Sequence, residues 1–161
     1  MREFQLDDKL EISLIRVSKE DISFLYELLK ERLTYPKNLN YIATEEFPSF
    51  EAHTKFIEDF IENKPETNWF AFYIIHIKEE NKTKKVGSVV IRKSGEWGYH
   101  ILQKYWGRKI AQITYKKLIE IHPEKRLWGT VKVENKKAIH LLDKKYGFKL
   151  KYLIYENDKL D

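Results

Sequence analysis

Residues 99–111 read Tyr99-His100-Ile101-Leu102-Gln103-Lys104-Tyr105-Trp106-Gly107-Arg108-Lys109-Ile110-Ala111. A strand-like run gives way to a glycine and then to helical apolar spacing, which predicts strand, short loop and helix. A helix start exposes N–H groups and the positive end of the helix dipole, a setting that suits a phosphate. Arg108 and Lys109 add formal positive charge there. Gly107 lets backbone approach a ligand closely, and Ala111 keeps the first turn small. An ordinary strand–loop–helix with basic surface residues fits the same stretch.

Working outward, the elements fall into an alternating order. Leu10 to Val17 alternates apolar and polar residues and predicts a first strand. Ser18 followed by Asp21 is a weak capping box that opens a helix from Lys19 to about Leu33. Residues 34–48 are irregular, and Pro48-Ser49 starts a second helix carrying Phe50, Phe56, Ile57, Phe60 and Ile61. The period then changes to that of strands at Trp69–Lys78, Val86–Arg92 and Glu96–Leu102, an antiparallel meander. Helix returns at Arg108–Ile121, stopped by Pro123. A strand at Leu127–Val133, a helix from Asn135 to about Lys145 and a last strand at Phe148–Tyr155 follow. With no repeat or low-complexity linker, residues 1–161 read as one domain, a mixed α+β sheet with helices on its faces.

Composition narrows the function. Apolar residues make up 42% of the 161, too many for a disordered chain. No apolar run approaches the ~20 residues of a membrane span, and the mixed-charge start MREFQLDDKLEIS lacks a signal core, so a cytoplasmic protein is expected. The absence of cysteine excludes disulfides, Fe–S clusters, thiolate zinc sites and cysteine nucleophiles. The five histidines show no ligand spacing, and no metal is expected. Between residues 103 and 151 there are 14 Lys/Arg and 4 Asp/Glu, a local charge of +10, against −5 for the remainder. Such a field concentrates anions, whether nucleic acid, a phosphorylated cofactor or an acidic substrate. A Lys-rich solvated face is the plainer reading.

The run Tyr105-Trp106-Gly107-Arg108-Lys109-Ile110-Ala111 resembles the acetyl-CoA loop of the GNAT N-acetyltransferase superfamily, whose pattern is Gln/Arg-x-x-Gly-x-Gly/Ala. Trp106 stands where Gln or Arg is usual, and Lys109 replaces the first glycine of the pair. Downstream, Asn135-Lys-Lys-Ala138-Ile139-His-Leu141-Leu142-Asp-Lys-Lys-Tyr146-Gly147-Phe148 resembles the family's Asn-x-x-Ala-Ile-x-Leu-Tyr-x-Lys-x-Gly-Phe ending. Leu142 occupies the position of the tyrosine that protonates the leaving thiolate in many members. One extra residue precedes Gly147-Phe148, and Tyr146 becomes a displaced tyrosine.

The resemblance implies a GNAT-like α+β fold, with a mostly antiparallel twisted sheet of six to seven strands and about four helices. It implies acetyl-CoA as co-substrate and direct attack of a primary amine in a ternary complex. Backbone at Ile101 and Leu102 would meet the pantetheine and the thioester carbonyl, in a gap where the third meander strand splays from Leu127–Val133. Amides of Gly107, Arg108, Lys109, Ile110 and Ala111 would hold pyrophosphate, with Gln103 and Trp106 beside the loop and Asn135 by the pantetheine arm. Glu96 is a candidate base acting through water, His100 a second, and Tyr146 a candidate acid. Tyr35, Tyr41 and Glu46, in the irregular stretch, are candidates for acceptor binding.

The expected acceptor is a small-molecule amine such as an amino sugar, free or nucleotide-linked. A protein N-terminus or lysine is the competing substrate, and a non-catalytic acyl-CoA-binding module is the competing class. A nucleic-acid partner is disfavoured because no recognised binding motif accompanies the basic segment. No membrane partner is expected, and a homodimer is compatible with the sequence.

Overall fold

A computed structural model describes residues 10–35 and 47–153. Four antiparallel strands form one sheet in the order β1-β2-β3-β4: β1 (Glu11–Arg16), β2 (Trp69–Glu79), β3 (Lys82–Arg92) and β4 (Trp97–Ile101). Helices α1 (Ile22–Arg32) and α2 (Phe50–Ile61) precede β2. Helices α3 (Ile110–Ile121) and α4 (Lys136–His140) follow β4.

Two apolar layers sandwich the sheet. On one face, Ile22, Leu25 and Leu28 of α1 and Ile57 and Phe60 of α2 pack on Phe72 and Ile74. On the other, Ile110 and Leu118 of α3 pack on Ile75, Ile77, Val89, Ile91, Trp97 and Ile101. Burying each such side chain contributes about 1.5–3 kcal/mol. The alternation of β4 follows: Gly98 and His100 face the α1 side, and Trp97, Tyr99 and Ile101 the α3 side.

Local signals explain the boundaries. The Ser18 backbone N–H donates to Asp21 Oδ2 at 2.8 Å, closing the capping box before α1. Ser49 Oγ accepts from Ala52 N at 3.1 Å and caps α2. Between β2 and β3 the polar stretch shrinks to a two-residue turn, Glu80 (φ 48°) and Asn81 (φ 63°), and the ladder runs out to Glu79↔Lys82. Two left-handed residues match the twist of a hairpin, which is why strand pairing extends through polar residues.

Among the described residues, four strands stand where six to seven are expected. The segment expected as a strand at Leu127–Val133 touches β4 through one parallel bridge, Glu96↔Trp128, with Trp97 N donating to Trp128 O at 2.9 Å. Beyond Trp128 it leaves the sheet, and Val133 is 65% exposed. Residues 148–153 are likewise not a strand; Leu150, Tyr152 and Leu153 are exposed. Apolar alternation makes both segments look like strands, but pairing needs a neighbouring edge in register, and after Trp128 the two backbones diverge.

Helix α4 continues into a π-helical turn, Leu141–Lys145. Tyr146 N donates to Leu141 O, five residues back, at 3.0 Å, and Phe148 N reaches Leu142 O at 3.0 Å. A π turn absorbs one residue more than an α turn. The extra residue before Gly147-Phe148 is taken up in this way.

Candidate active site

The outer edge of β4 is the first part of the site. Val86/Leu102 and Arg92/Glu96 are hydrogen-bonded pairs at the two ends of the β3–β4 ladder, and in an antiparallel ladder every second pair between them is bonded. His100 and Gly98 therefore bond to β3, while the N–H groups of Tyr99 and Ile101 point to the opposite edge. Trp97 N finds Trp128 O there, but the Ile101 N–H has no backbone partner among the described residues. The divergence after Trp128 is what leaves it open. Leu102 differs: its N–H donates to Val86 O, and its carbonyl accepts from Tyr105 N, both at 2.9 Å.

The second part is the loop into α3. The amides of Gly107, Arg108, Lys109, Ile110, Ala111 and Gln112 have no backbone partner among the described residues; the first helical bond is Ile113 N to Lys109 O at 3.1 Å. Six successive open donors at the positive end of a helix make an anion cradle. Gly107 has φ +79° with nothing within 4 Å of the position a Cβ would take. Lys109, at the N-cap, also has a left-handed backbone, φ 61°. The Arg108 guanidinium is bonded to the Glu79 carboxylate and lies over the Tyr105 ring.

The third part joins the end of α1 to the end of β4. Glu31 Oε2 accepts from Gln103 N at 3.1 Å and from the Tyr35 hydroxyl at 2.5 Å. The Tyr35 oxygen lies 3.0 Å from His100 Nε2. Tyr35 has one proton, and it goes to the carboxylate, so His100 is assigned the Nε2–H tautomer that donates to Tyr35. Burial, and then the charge of Arg32, push the His100 pKa down to about 3. His100 is therefore neutral, and its 3.9 Å approach to Glu31 is not an ion pair at neutral pH. Burial and the Glu31 carboxylate push the Tyr35 phenol up. Trp106 closes the group: its Nε1 donates to Ile101 O at 2.8 Å, and its ring lies 5.0 Å from that of Tyr35.

The sequence model of the acetyltransferase (GNAT) family matches residues 25–148, most of the chain and all three parts of the site. The chain belongs to the GNAT acetyltransferase family. Solved structures with the same fold include a domain from Methanocaldococcus jannaschii DSM 2661, 22% identical, with a TM-score of 0.70 over 87% of this chain and 89% of that one. A spermidine/spermine N-acetyltransferase from Vibrio cholerae, solved in mutant forms, is 19% identical, with a TM-score of 0.62 over 82% of this chain and 76% of that one. A GNAT-family acetyltransferase from Streptococcus pneumoniae is 20% identical, with a TM-score of 0.60 over 88% of this chain and 87% of that one. Among curated proteins no match was found. As a GNAT acetyltransferase, the protein is an acetyl-CoA-dependent N-acetyltransferase.

Within this GNAT site, the residues anticipated from sequence separate into groups. Ile101 and residues 107–111 form the open edge and the cradle, and these donors fit a thioester carbonyl and a pyrophosphate. Gln103 contributes its backbone N–H to Glu31. Asn135 Oδ1 accepts from Ala138 N at 3.1 Å and caps α4. Glu96 is ion-paired with Arg92 at 3.0 Å, five residues and about 17 Å of strand from Ile101. Tyr146 packs on Tyr115 at 4.9 Å and on Trp97 at 6.3 Å, and its buried hydroxyl has no partner among the described residues. Tyr41 and Glu46 lie outside the described residues.

Sequence reasoning missed Glu31 and Arg32. The signal was there: Leu25 and Leu28 are buried at a spacing of three, and Glu31 is the next position in that row. A carboxylate continuing a buried apolar row is an anomaly that asks for a partner.

Proposed function

We propose that this acetyltransferase moves an acetyl group from acetyl-CoA to the primary amine of a small molecule, with an amino sugar, free or nucleotide-linked, as the first candidate. The observation that carries the reading is the open Ile101 N–H, two residues before the Gln103 N–H that grips Glu31. Those two amides are at most about 7 Å apart, so a donor for the acyl oxygen adjoins a polar, aromatic-rimmed group that can receive the acceptor.

Acetyl-CoA supplies the acyl group as a thioester. The Ile101 N–H is fixed by the ladder on either side of it and donates to the acyl oxygen as that atom gains charge. One such donor is worth roughly 100–1000-fold in rate. The amides from Gly107 to Ala111 hold the pyrophosphate, and Lys109 adds a charge at the cradle. Trp106, bonded to the Ile101 carbonyl, keeps that backbone in place. Glu96 is engaged with Arg92 and distant from Ile101, so proton removal from the acceptor falls to solvent or to the group around Glu31.

A Vibrio cholerae spermidine N-acetyltransferase with this fold is described as dodecameric. Self-association, at least to a dimer, belongs to the same reading, and sedimentation at the monomer mass would refute that part.

The test begins with calorimetric titration of acetyl-CoA. Micromolar binding, abolished in Gly107→Pro because proline cannot take φ near +79°, is the expected result. Absence of binding at near-millimolar acetyl-CoA overturns the reading. A screen of amino sugars, nucleotide-linked amino sugars, polyamines and peptides then follows release of free CoA with a thiol reagent. The chain has no cysteine, so the protein adds no background. Turnover of peptides alone would replace the small-molecule acceptor by a protein one.

A further inference from the structure

We propose that Glu31 is the carboxylate that receives the acceptor's ammonium group, and that the acceptor is therefore a cationic primary amine; this rests on the acetyltransferase reading above. Glu31 lies in the last turn of α1. A helix C-terminus is the negative end of the dipole, where a carboxylate is disfavoured and a cation is favoured. A glutamate kept there, with its side chain only 27% exposed, carries a cost that a bound cation would offset; Lys30 and Arg32 share the turn, and the Arg32 charge is felt at Tyr35 and His100.

The hydrogen bonds around Glu31 are one-sided. Gln103 N and the Tyr35 hydroxyl both donate to Oε2, which fixes the plane of the carboxylate. Oε1 accepts no hydrogen bond among the described residues. His100, on the other side of Tyr35, is neutral and brings no competing charge. Beside the carboxylate stands the Tyr35 hydroxyl, and the Trp106 ring, 38% exposed, lies 5.0 Å from the Tyr35 ring. A carboxylate with an exposed indole in the same group is chemistry that recognises an ammonium ion, by charge-assisted hydrogen bonding and cation–π attraction. The Gln103 bond ties this carboxylate to the chain that carries the Ile101 N–H, so a bound ammonium sits beside the place where the acyl oxygen is held.

The test uses the full chain with CoA bound, and two ammonium probes, spermidine and glucosamine, with glucose as the neutral control. Two-dimensional NMR follows the Gln103 amide, whose proton is held by Glu31. One or both amines should shift that amide saturably, and glucose should not. Glu31→Gln keeps a carbonyl acceptor for Gln103 and should weaken amine binding at least tenfold. Glu27→Gln, one turn earlier and paired with Lys30 on the surface, removes the same charge and should change it less than twofold. Calorimetry with acetyl-CoA on each variant separates the two readings. If the wild type binds acetyl-CoA but neither amine moves the Gln103 signal up to about 50 mM, beyond the weakest useful affinities, the Glu31 assignment is wrong. It is also wrong if Glu31→Gln binds the amines as the wild type does. Failure of acetyl-CoA itself to bind the wild type would instead remove the transferase reading.

Discussion

His100 shows how a single residue couples the site to stability. Burial and the neighbouring Arg32 keep its imidazole neutral in the folded chain down to about pH 3, whereas the unfolded residue protonates near 6.5. The unfolded state therefore takes up a proton that the folded state refuses. Stability from this group is complete above pH 6.5 and is lost progressively as the pH falls toward 3. Between about pH 6.5 and 5 the loss is about 1.5 kcal/mol. His53 and His76 are depressed by burial as well, so the wild-type slope is steeper than one residue gives. Urea unfolding at the two pH values should show that His100→Gln, which keeps a donor for Tyr35, loses about 1.5 kcal/mol less than the wild type. Equal losses would mean that His100 is protonated in the folded chain. Lys109 is a contrasting case at the same scale. The position demands a left-handed backbone, which glycine adopts freely and lysine only at a cost of about 1–2 kcal/mol. The departure of this sequence from the family pattern thus places a lysine on a left-handed backbone that suits glycine.

Among the elements, the sequence is most legible where a signal is local. The caps at Ser18 and Ser49, the two central strands and the start of α3 all follow from near neighbours in the chain. The strand expected at Leu127–Val133, and the described part (148–153) of the one expected at Phe148–Tyr155, fail because their existence depends on a distant edge. Pairing with β4 ends at Trp128, and no alternation within the segment reports that. The cofactor loop is legible through its glycine and helix start, but the Glu31–Tyr35–His100 group is not, since it joins residues far apart in the chain. The π turn lies between these cases. One extra residue before Gly147 is visible, while its consequence, a five-residue hydrogen bond that sets Tyr146 among Trp97, Tyr115 and Phe148, needs the fold. That placement leaves the Tyr146 hydroxyl buried without a partner among the described residues, and burial pushes its pKa up. Removing an unsatisfied buried hydroxyl should stabilise. Tyr146→Phe should raise the unfolding free energy by about 1 kcal/mol, with kcat left within about threefold of the wild type. A fall in kcat of about tenfold, or a loss of stability, would put the hydroxyl in contact with the reaction or with a partner.

For the molecule as a whole, the basic segment 103–151 acquires a specific meaning from the fold. It contains the cradle, α3 and α4, so its charge of +10 surrounds the place where a ligand with several phosphates would be held, while the remainder carries −5. Arg108 is partly neutralised by Glu79, which leaves the backbone donors and Lys109 nearest the pyrophosphate position. Backbone hydrogen bonds to phosphate are short-range and tolerate salt; the wider field of lysines is screened within about 10 Å at 0.1 M and about 3 Å at 1 M. The two contributions can therefore be separated by ionic strength. Raising NaCl from about 0.05 to about 0.5 M should weaken acetyl-CoA binding on the order of tenfold. Dephospho-CoA, which lacks the 3′-phosphate but keeps the pyrophosphate, should bind more weakly at low salt and lose less on the same change. Both are read by calorimetry. If the two ligands lose affinity in parallel, the basic segment acts on the pyrophosphate alone. If neither responds to salt, the lysines of α3 and α4 form a solvated face with no part in holding the cofactor.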